Sequence, residues 1–93
     1  MSVKNMIPTP LRAYTKGQDE VEIDQEGTVG ELLTALVTQY TDLKDHLYQD
    51  ETSLRKYVNI YLGDEDIRYL DHQNTPIKDG QTLSIVPSIA GGY

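Results

Sequence analysis

Residues 27–40 read "GTVGELLTALVTQY", and their spacing decides the fold. Thr28 and Glu31 stand in the T-x-x-E arrangement of a capping box. In that motif the threonine hydroxyl accepts a hydrogen bond from the third helical N–H, and the glutamate accepts one from the threonine N–H. Val29, Leu32, Leu33, Leu36, Val37 and Tyr40 then recur at alternating wide and narrow intervals, the signature of one helical face. The spacing predicts an amphipathic helix ending between Tyr40 and Asp42. Threonines and Gln39 take its other face. A helix with one apolar stripe must bury it against something, and the rest of the chain supplies strands.

Upstream, "SVKNMIP" reads as a strand with Val3 and Ile7 on one face. Asn5 falls between them on that same face, which is unfavourable for a buried strand. Pro8 and Pro10 stop the strand. Residues 11–18, "LRAYTKGQ", read as a turn through Lys16 and Gly17, anchored by Leu11. "DEVEID" then alternates, with Val21 and Ile23 facing inward. Two strands joined by a turn-rich segment predict a hairpin.

Downstream, residues 43–56 fit either a short helical turn or an irregular crossover pinned by Leu43, Leu47 and Leu54. "YVNIYL" is a strand with Val58, Ile60 and Leu62 on one face and Tyr57, Asn59 and Tyr61 on the other. Gly63–Asp66 reads as a solvated acidic turn, and "IRYL" as a short returning strand. Asp79-Gly80 is a strong turn pair. "QTLSIVP" is the last strand, with Leu83 and Ile85 in and Ser84 and Val86 out. The order β-β-α-β-β-β predicts a two-layer α+β domain. It has a mixed sheet of four to five strands on one main helix, with the first and last strands parallel neighbours.

The 93 residues suffice for one domain with a modest core. Fifteen acidic and eight basic residues give a net charge of −7, which argues against nucleic acid or an anionic membrane as ligand. The absence of cysteine rules out disulfides, thiolate metal sites and a cysteine nucleophile. The N-terminus lacks the apolar core of a signal peptide, and no apolar run is long enough for a membrane span. A cytoplasmic protein is expected.

Few residues invite chemistry. His46 and His72 are far apart and lack metal-ligand spacing, so both read as solvated surface histidines. Asp64, Glu65 and Asp66 lack the loop spacing of a calcium site. Neither a nucleophile signature nor a phosphate-binding glycine loop is present. What stands out is the end of the chain, "SIAGGY". It continues directly from the last strand, so residues 1–87 are expected to form the domain and 88–93 a flexible tail. A frayed terminus is the ordinary reading of such an end. However, Ser88 to Gly92 extended would reach about 16 Å. Glycines also make an arm thin enough to enter another protein's active site.

The helix, "VNIYLGDEDIRYL", "IKDGQTLSIVP" and the terminal "AGG" together resemble the ThiS/MoaD family of ubiquitin-like sulfur carrier proteins. The resemblance covers nearly the whole chain. "IPTPLR" and "YVNIYLGDEDIR" are most similar to the branch that supplies sulfur for cysteine biosynthesis. The resemblance implies a β-grasp fold and a protein that is a co-substrate, not an enzyme. A ubiquitin-activating-like adenylyltransferase and sulfurtransferase uses ATP to adenylate the terminal glycine, and sulfur then replaces AMP to leave a thiocarboxylate. A pyridoxal-phosphate-dependent cysteine synthase receives the sulfur. No bound cofactor or metal is implied for the carrier.

Carried onto this chain, Gly92 bears the sulfur and Gly91 completes the diglycine. Tyr93 departs from the pattern, because it locks Gly92 in a peptide bond. A JAMM-type zinc peptidase cutting between Gly92 and Tyr93 would expose the carboxylate. Trimming by an unrelated carboxypeptidase, or loss of the carrier role, are the alternatives. Tyr61 and Val86, outward by alternation, and Ile89 in the tail are the expected partner-binding residues. Other expectations remain open: a carrier for molybdopterin or thiamine thiazole synthesis, a ubiquitin-like modifier joined to lysines, or a non-covalent interaction module with an idle tail.

Overall fold

The computed structural model describes residues 2–51 and 53–87. Strands β1 (Val3–Met6) and β2 (Glu20–Ile23) form the expected antiparallel hairpin, with Val3 opposite Ile23 and Asn5 opposite Val21. Helix α1 spans Val29–Gln39. A short helix α2 (Lys44–Leu47) follows, then β3 (Val58–Leu62), β4 (Glu65–Asp66) and β5 (Thr82–Pro87). The five strands form one sheet in the order β2-β1-β5-β3-β4. β1 and β5 run parallel at its centre, and the other pairs are antiparallel. This is the mixed sheet on one main helix that the spacing called for, a β-grasp.

The capping box sets the start of α1. Thr28 Oγ1 accepts from the Glu31 N–H at 3.3 Å, and Glu31 Oε1 accepts from the Thr28 N–H at 3.1 Å. Gly27 takes a φ of +110°, which few side chains adopt. Leu32, Leu33 and Leu36 are fully buried, Val29 also, and Val37 nearly so. They rest on the inner face of the sheet, built from Val3, Val21, Ile23, Val58, Ile60, Leu62, Leu83 and Ile85. Tyr40 is only half-buried at the rim. Asn5 stays on the buried face, donating from Nδ2 to the carbonyls of Val3 and Val21 at 3.2 Å each. Hydrogen bonding to the hairpin's own backbone is how a polar residue is accommodated there.

Three local readings need correction. Residues 11–18 are more than a turn: a 3₁₀ helix covers Thr9–Thr15, with proline in its first turn, and ends on Lys16 at a φ of 57°. Proline is suited to that first turn because its missing N–H would be unpaired anyway. Leu11 anchors it as expected. The returning strand is not "IRYL" but Glu65–Asp66, while Ile67–Tyr69 form a 3₁₀ turn. The Asp66 carboxylate causes this, since Oδ1 accepts from the Arg68 N–H at 2.9 Å and so caps the turn. Asp66 is consequently not part of a solvated turn: it is 7% exposed. The ambiguous stretch 43–56 contains α2, and Leu43 and Leu47 are fully buried, with a bridge between Tyr48 and Leu54 closing the segment.

The crossover into the last strand is tied down at both ends. Thr75 and Ile77 pair with the start of α1, through Val29 N–H to the Thr75 carbonyl and Ile77 N–H to the Gly27 carbonyl, both at 2.9 Å. The Asp79-Gly80 turn, with Gly80 at a φ of 85°, bonds to Ser2. That bond aligns β5 beside β1.

Candidate functional site

β5 carries the chain out of the sheet. Pro87, its last residue, lies opposite Val58, the first residue of β3. The segment from Ser88 to Tyr93 therefore starts at the end of the β3–β5 ladder. Ile89, Gly91, Gly92 and Tyr93 themselves lie outside the described residues, as does the proposed boundary after residue 87.

Beside that exit the outer face of the sheet is partly apolar. Val86 is 42% exposed and pairs with Asn59; Tyr61 is half-buried and pairs with Ser84. The two are diagonal neighbours on adjacent strands, at a spacing of about 7–8 Å that aromatic side chains bridge. The alternation reading brought these two together correctly. It missed Met6, which is exposed and lies opposite Ser84 from the other side, across the parallel β1–β5 pair. The signal was present, because Met6 sits between the inward Asn5 and Ile7 and so must face out.

Polar groups frame this patch. Arg68 extends over the outer face and donates from Nη2 both to Asp66 Oδ2 at 2.7 Å and to Asn59 Oδ1. Its guanidinium holds the Asp66 carboxyl below the usual carboxylate range, mainly through the side-chain hydrogen bond and against the opposing effect of burial. Sequence reasoning placed Asp66 in an acidic run and missed its pairing with Arg68. Tyr69 and Leu70 are exposed at the end of the same turn.

The histidines do not converge. His46 is half-buried and stacked on Tyr14 with ring centroids 4.1 Å apart, so it is a packing residue and not the solvated one expected. His72 is exposed. Among the described residues no group of three or more His, Asp or Glu is arranged to hold a metal ion. No described helix is long and apolar enough to cross a membrane.

Residues 6–92 match the ThiS family. The chain belongs to the ThiS family. The sulfur carrier protein CysO of Mycobacterium tuberculosis is 36% identical over 94 aligned residues, covering 99% of this chain and 100% of the relative. A chain in the crystal structure of the Amycolatopsis orientalis BexX/CysO complex superposes with a TM-score of 0.86 at 37% identity, covering 97% of this chain and 99% of that one. The solution structure of small archaeal modifier protein 1 from Methanosarcina acetivorans reaches the same TM-score of 0.86 at 27% identity, covering 98% and 96%. For this ThiS-family chain the matched region runs through Gly92 and stops before Tyr93.

Proposed function

We propose that this chain is a sulfur carrier whose working atom sits on Gly92. The observation that carries the reading is the full-length likeness to sulfur carrier proteins, in a chain whose last strand ends at Pro87, with three residues between it and a diglycine in the sequence. A carboxylate is a poor electrophile, so it must be activated. An activating enzyme joins the Gly92 carboxylate to AMP, releasing pyrophosphate from ATP. A sulfide equivalent then displaces AMP and leaves a thiocarboxylate. Sulfur from that group passes to an acceptor on a partner synthase, in the cysteine branch a pyridoxal-phosphate enzyme. The carrier supplies reach, thinness and a docking face, and the partners supply the catalytic groups.

Tyr93 must go first. While it remains, Gly92 has a peptide carbonyl and no carboxylate. Hydrolysis of the Gly92–Tyr93 bond, which a zinc peptidase of the JAMM type is suited to perform, converts a capped precursor into the carrier. The test is the intact mass of protein from its native cell, together with activation of two purified chains. The chain ending at Gly92 is expected to take up AMP and then sulfur, and the chain ending at Tyr93 to take up neither. Retention of Tyr93 on all native protein, with no activation of the shortened chain, would sink the proposal.

A second reading is a protein modifier, favoured by the likeness to the small archaeal modifier protein. Isopeptide adducts on lysines of other proteins would select it, whereas a thiocarboxylate mass selects sulfur transfer.

A further inference from the structure

On the side of the sheet away from the β1–β2 hairpin, β4 pairs only with Tyr61 and Leu62 of β3. On that edge, the first half of β3 therefore has no strand beside it among the described residues. A groove of about 410 Å³ runs there, between residues 53–56 and the segment from Asp66 to Gln73. Its apolar lining comes from Leu54, Val58, Ile60 and Ile67. Its polar rim is Arg55, Lys56, Arg68 and His72.

The charge of that rim is opposite to that of the molecule. The chain carries a net −7 with only eight Lys and Arg residues, yet three of the eight line this one groove. The single carboxylate among the lining residues, Asp66, is already bound by Arg68. The three cations are held differently. Arg55 is anchored by Nε donating to the Asp45 carbonyl at 2.8 Å, and Arg68 is oriented by Asp66 and Asn59. Lys56 is exposed and extends the rim toward Tyr57, itself 52% exposed. Two of the cations are thus fixed in position before any ligand arrives, which lowers the entropy cost of binding to them.

We propose that this groove docks an acidic segment of a partner protein. One bulky apolar side chain of that segment lies over Val58 and Ile60, and its flanking carboxylates meet Arg55, Lys56 and Arg68. Nucleic acid is a poor fit, because its dense phosphate charge would meet a molecule whose net charge is −7. A protein segment with few charges samples only the local rim. The groove shares Arg68 with the frame of the outer face but contains none of Met6, Tyr61 and Val86, and it adjoins Val58, opposite which β5 ends. A partner gripping it would also hold the domain beside the exit of the chain.

The test is a two-dimensional amide NMR titration of the full chain with the blocked peptide acetyl-Asp-Glu-Leu-Asp-Glu-amide. Saturable shifts are expected at Lys56, Val58, Ile60, Ile67 and His72, weakening as salt is added. The lysine counterpart, acetyl-Lys-Lys-Leu-Lys-Lys-amide, should produce none. Lys56→Glu changes an exposed residue and should leave the rest of the spectrum in place while lowering peptide affinity about fivefold. Three results of the titration overturn the proposal, and a fourth comes from the chain without peptide. The three are no saturable shift, shifts confined to Met6, Tyr61 and Val86, or an affinity that Lys56→Glu does not change. Concentration-dependent shifts at the groove without peptide would also overturn it, by assigning the groove to a second copy of the chain. None of these outcomes bears on whether Gly92 accepts sulfur, so the two readings fail separately.

Discussion

Arg68 Nη2 lies 2.7 Å from Asp66 Oδ2, and the same guanidinium reaches Asn59 on β3. Two residues apart in sequence, the pair locks the 3₁₀ turn after β4 to the outer face of the sheet. The Asp66 side chain is only 8% exposed, whereas Arg68 stays half in solvent. The arginine keeps the carboxyl ionised, and the carboxylate also caps the turn through the Arg68 N–H.

A pH dependence follows from that pair. The folded Asp66 has a lower pKa than the unfolded chain, so it adds stability while the unfolded carboxyl would also be ionised. That contribution is complete above the ordinary aspartate range of about 4 and is lost as pH falls through the lower folded value. Asp66→Asn removes it. Urea denaturation of both proteins should show a constant gap from neutral pH down to about pH 5, closing at lower pH. A gap independent of pH would mean the ion pair adds nothing beyond a neutral hydrogen bond.

The start of α1 gives a second prediction. Thr28→Ala deletes one half of the capping box and should cost about 1 kcal/mol. Gly27→Ala should cost more, although it removes no hydrogen bond directly. Its φ of +110° strains any side chain, and a Cβ there would lie 2.2 Å from Glu31 Oε1, the atom that accepts from Thr28. Both changes should leave the folded far-ultraviolet spectrum intact and lower the urea midpoint, with Gly27→Ala the lower of the two. The reverse order would show that Glu31 moves aside without loss.

Asn5 yields a third. Its Nδ2 is satisfied by two carbonyls, but Oδ1 has no hydrogen-bond partner among the described residues, and the residue is fully buried. Asn5→Asp exchanges the donor for a second acceptor beside those same carbonyls and buries a charge. It should destabilise by about 3 kcal/mol or more, or force the carboxyl to stay protonated at neutral pH. Asn5→Val, which removes both the donor and the unpaired acceptor, should be far milder. Thermal melts of the two variants side by side distinguish these outcomes.

These residues also show where sequence reading succeeds and stops. The α1 face, the capping box and the alternation in β2, β3 and β5 were legible because each is a short-range pattern tied to a fixed period. Of the sheet order, the β1–β2 hairpin and the parallel β1–β5 pair were expected from the element order, whereas the placement of β3 beside β5 came from the structure. Asn5 was visible as a conflict, but its solution required the carbonyl of Val21 from the neighbouring strand. Asp66 was misread because its partner gives no periodic signal: a carboxylate two residues before an arginine is usually exposed. His46 was misread likewise, since its stacking on Tyr14 joins segments distant in sequence. The outer patch was half read: alternation placed Tyr61 and Val86 on it, while Met6, given by the same alternation in β1, was overlooked.

That patch supports the last prediction. Tyr61 and Val86 leave apolar surface on the outer face next to the end of β5, where, on the proposed function, a protein that receives the tail would approach. Burying such a patch drives association in proportion to its apolar area, and a charge placed in its middle opposes that burial. Val86→Asp adds the charge at an exposed position and should barely alter the urea midpoint. Tyr61→Asp should cost somewhat more stability, because that side chain is half-buried, but should still leave a folded domain. On the proposed function, with the chain ending at Gly92, each change should reduce the efficiency of adenylation by the proposed activating enzyme about tenfold or more, an energetic effect of about 1.4 kcal/mol. Val3 and Ile85 point to the opposite face, so Ile85→Val is the control for general destabilisation. If Ile85→Val lowers adenylation as much as Val86→Asp does, domain stability and not the outer face governs activation.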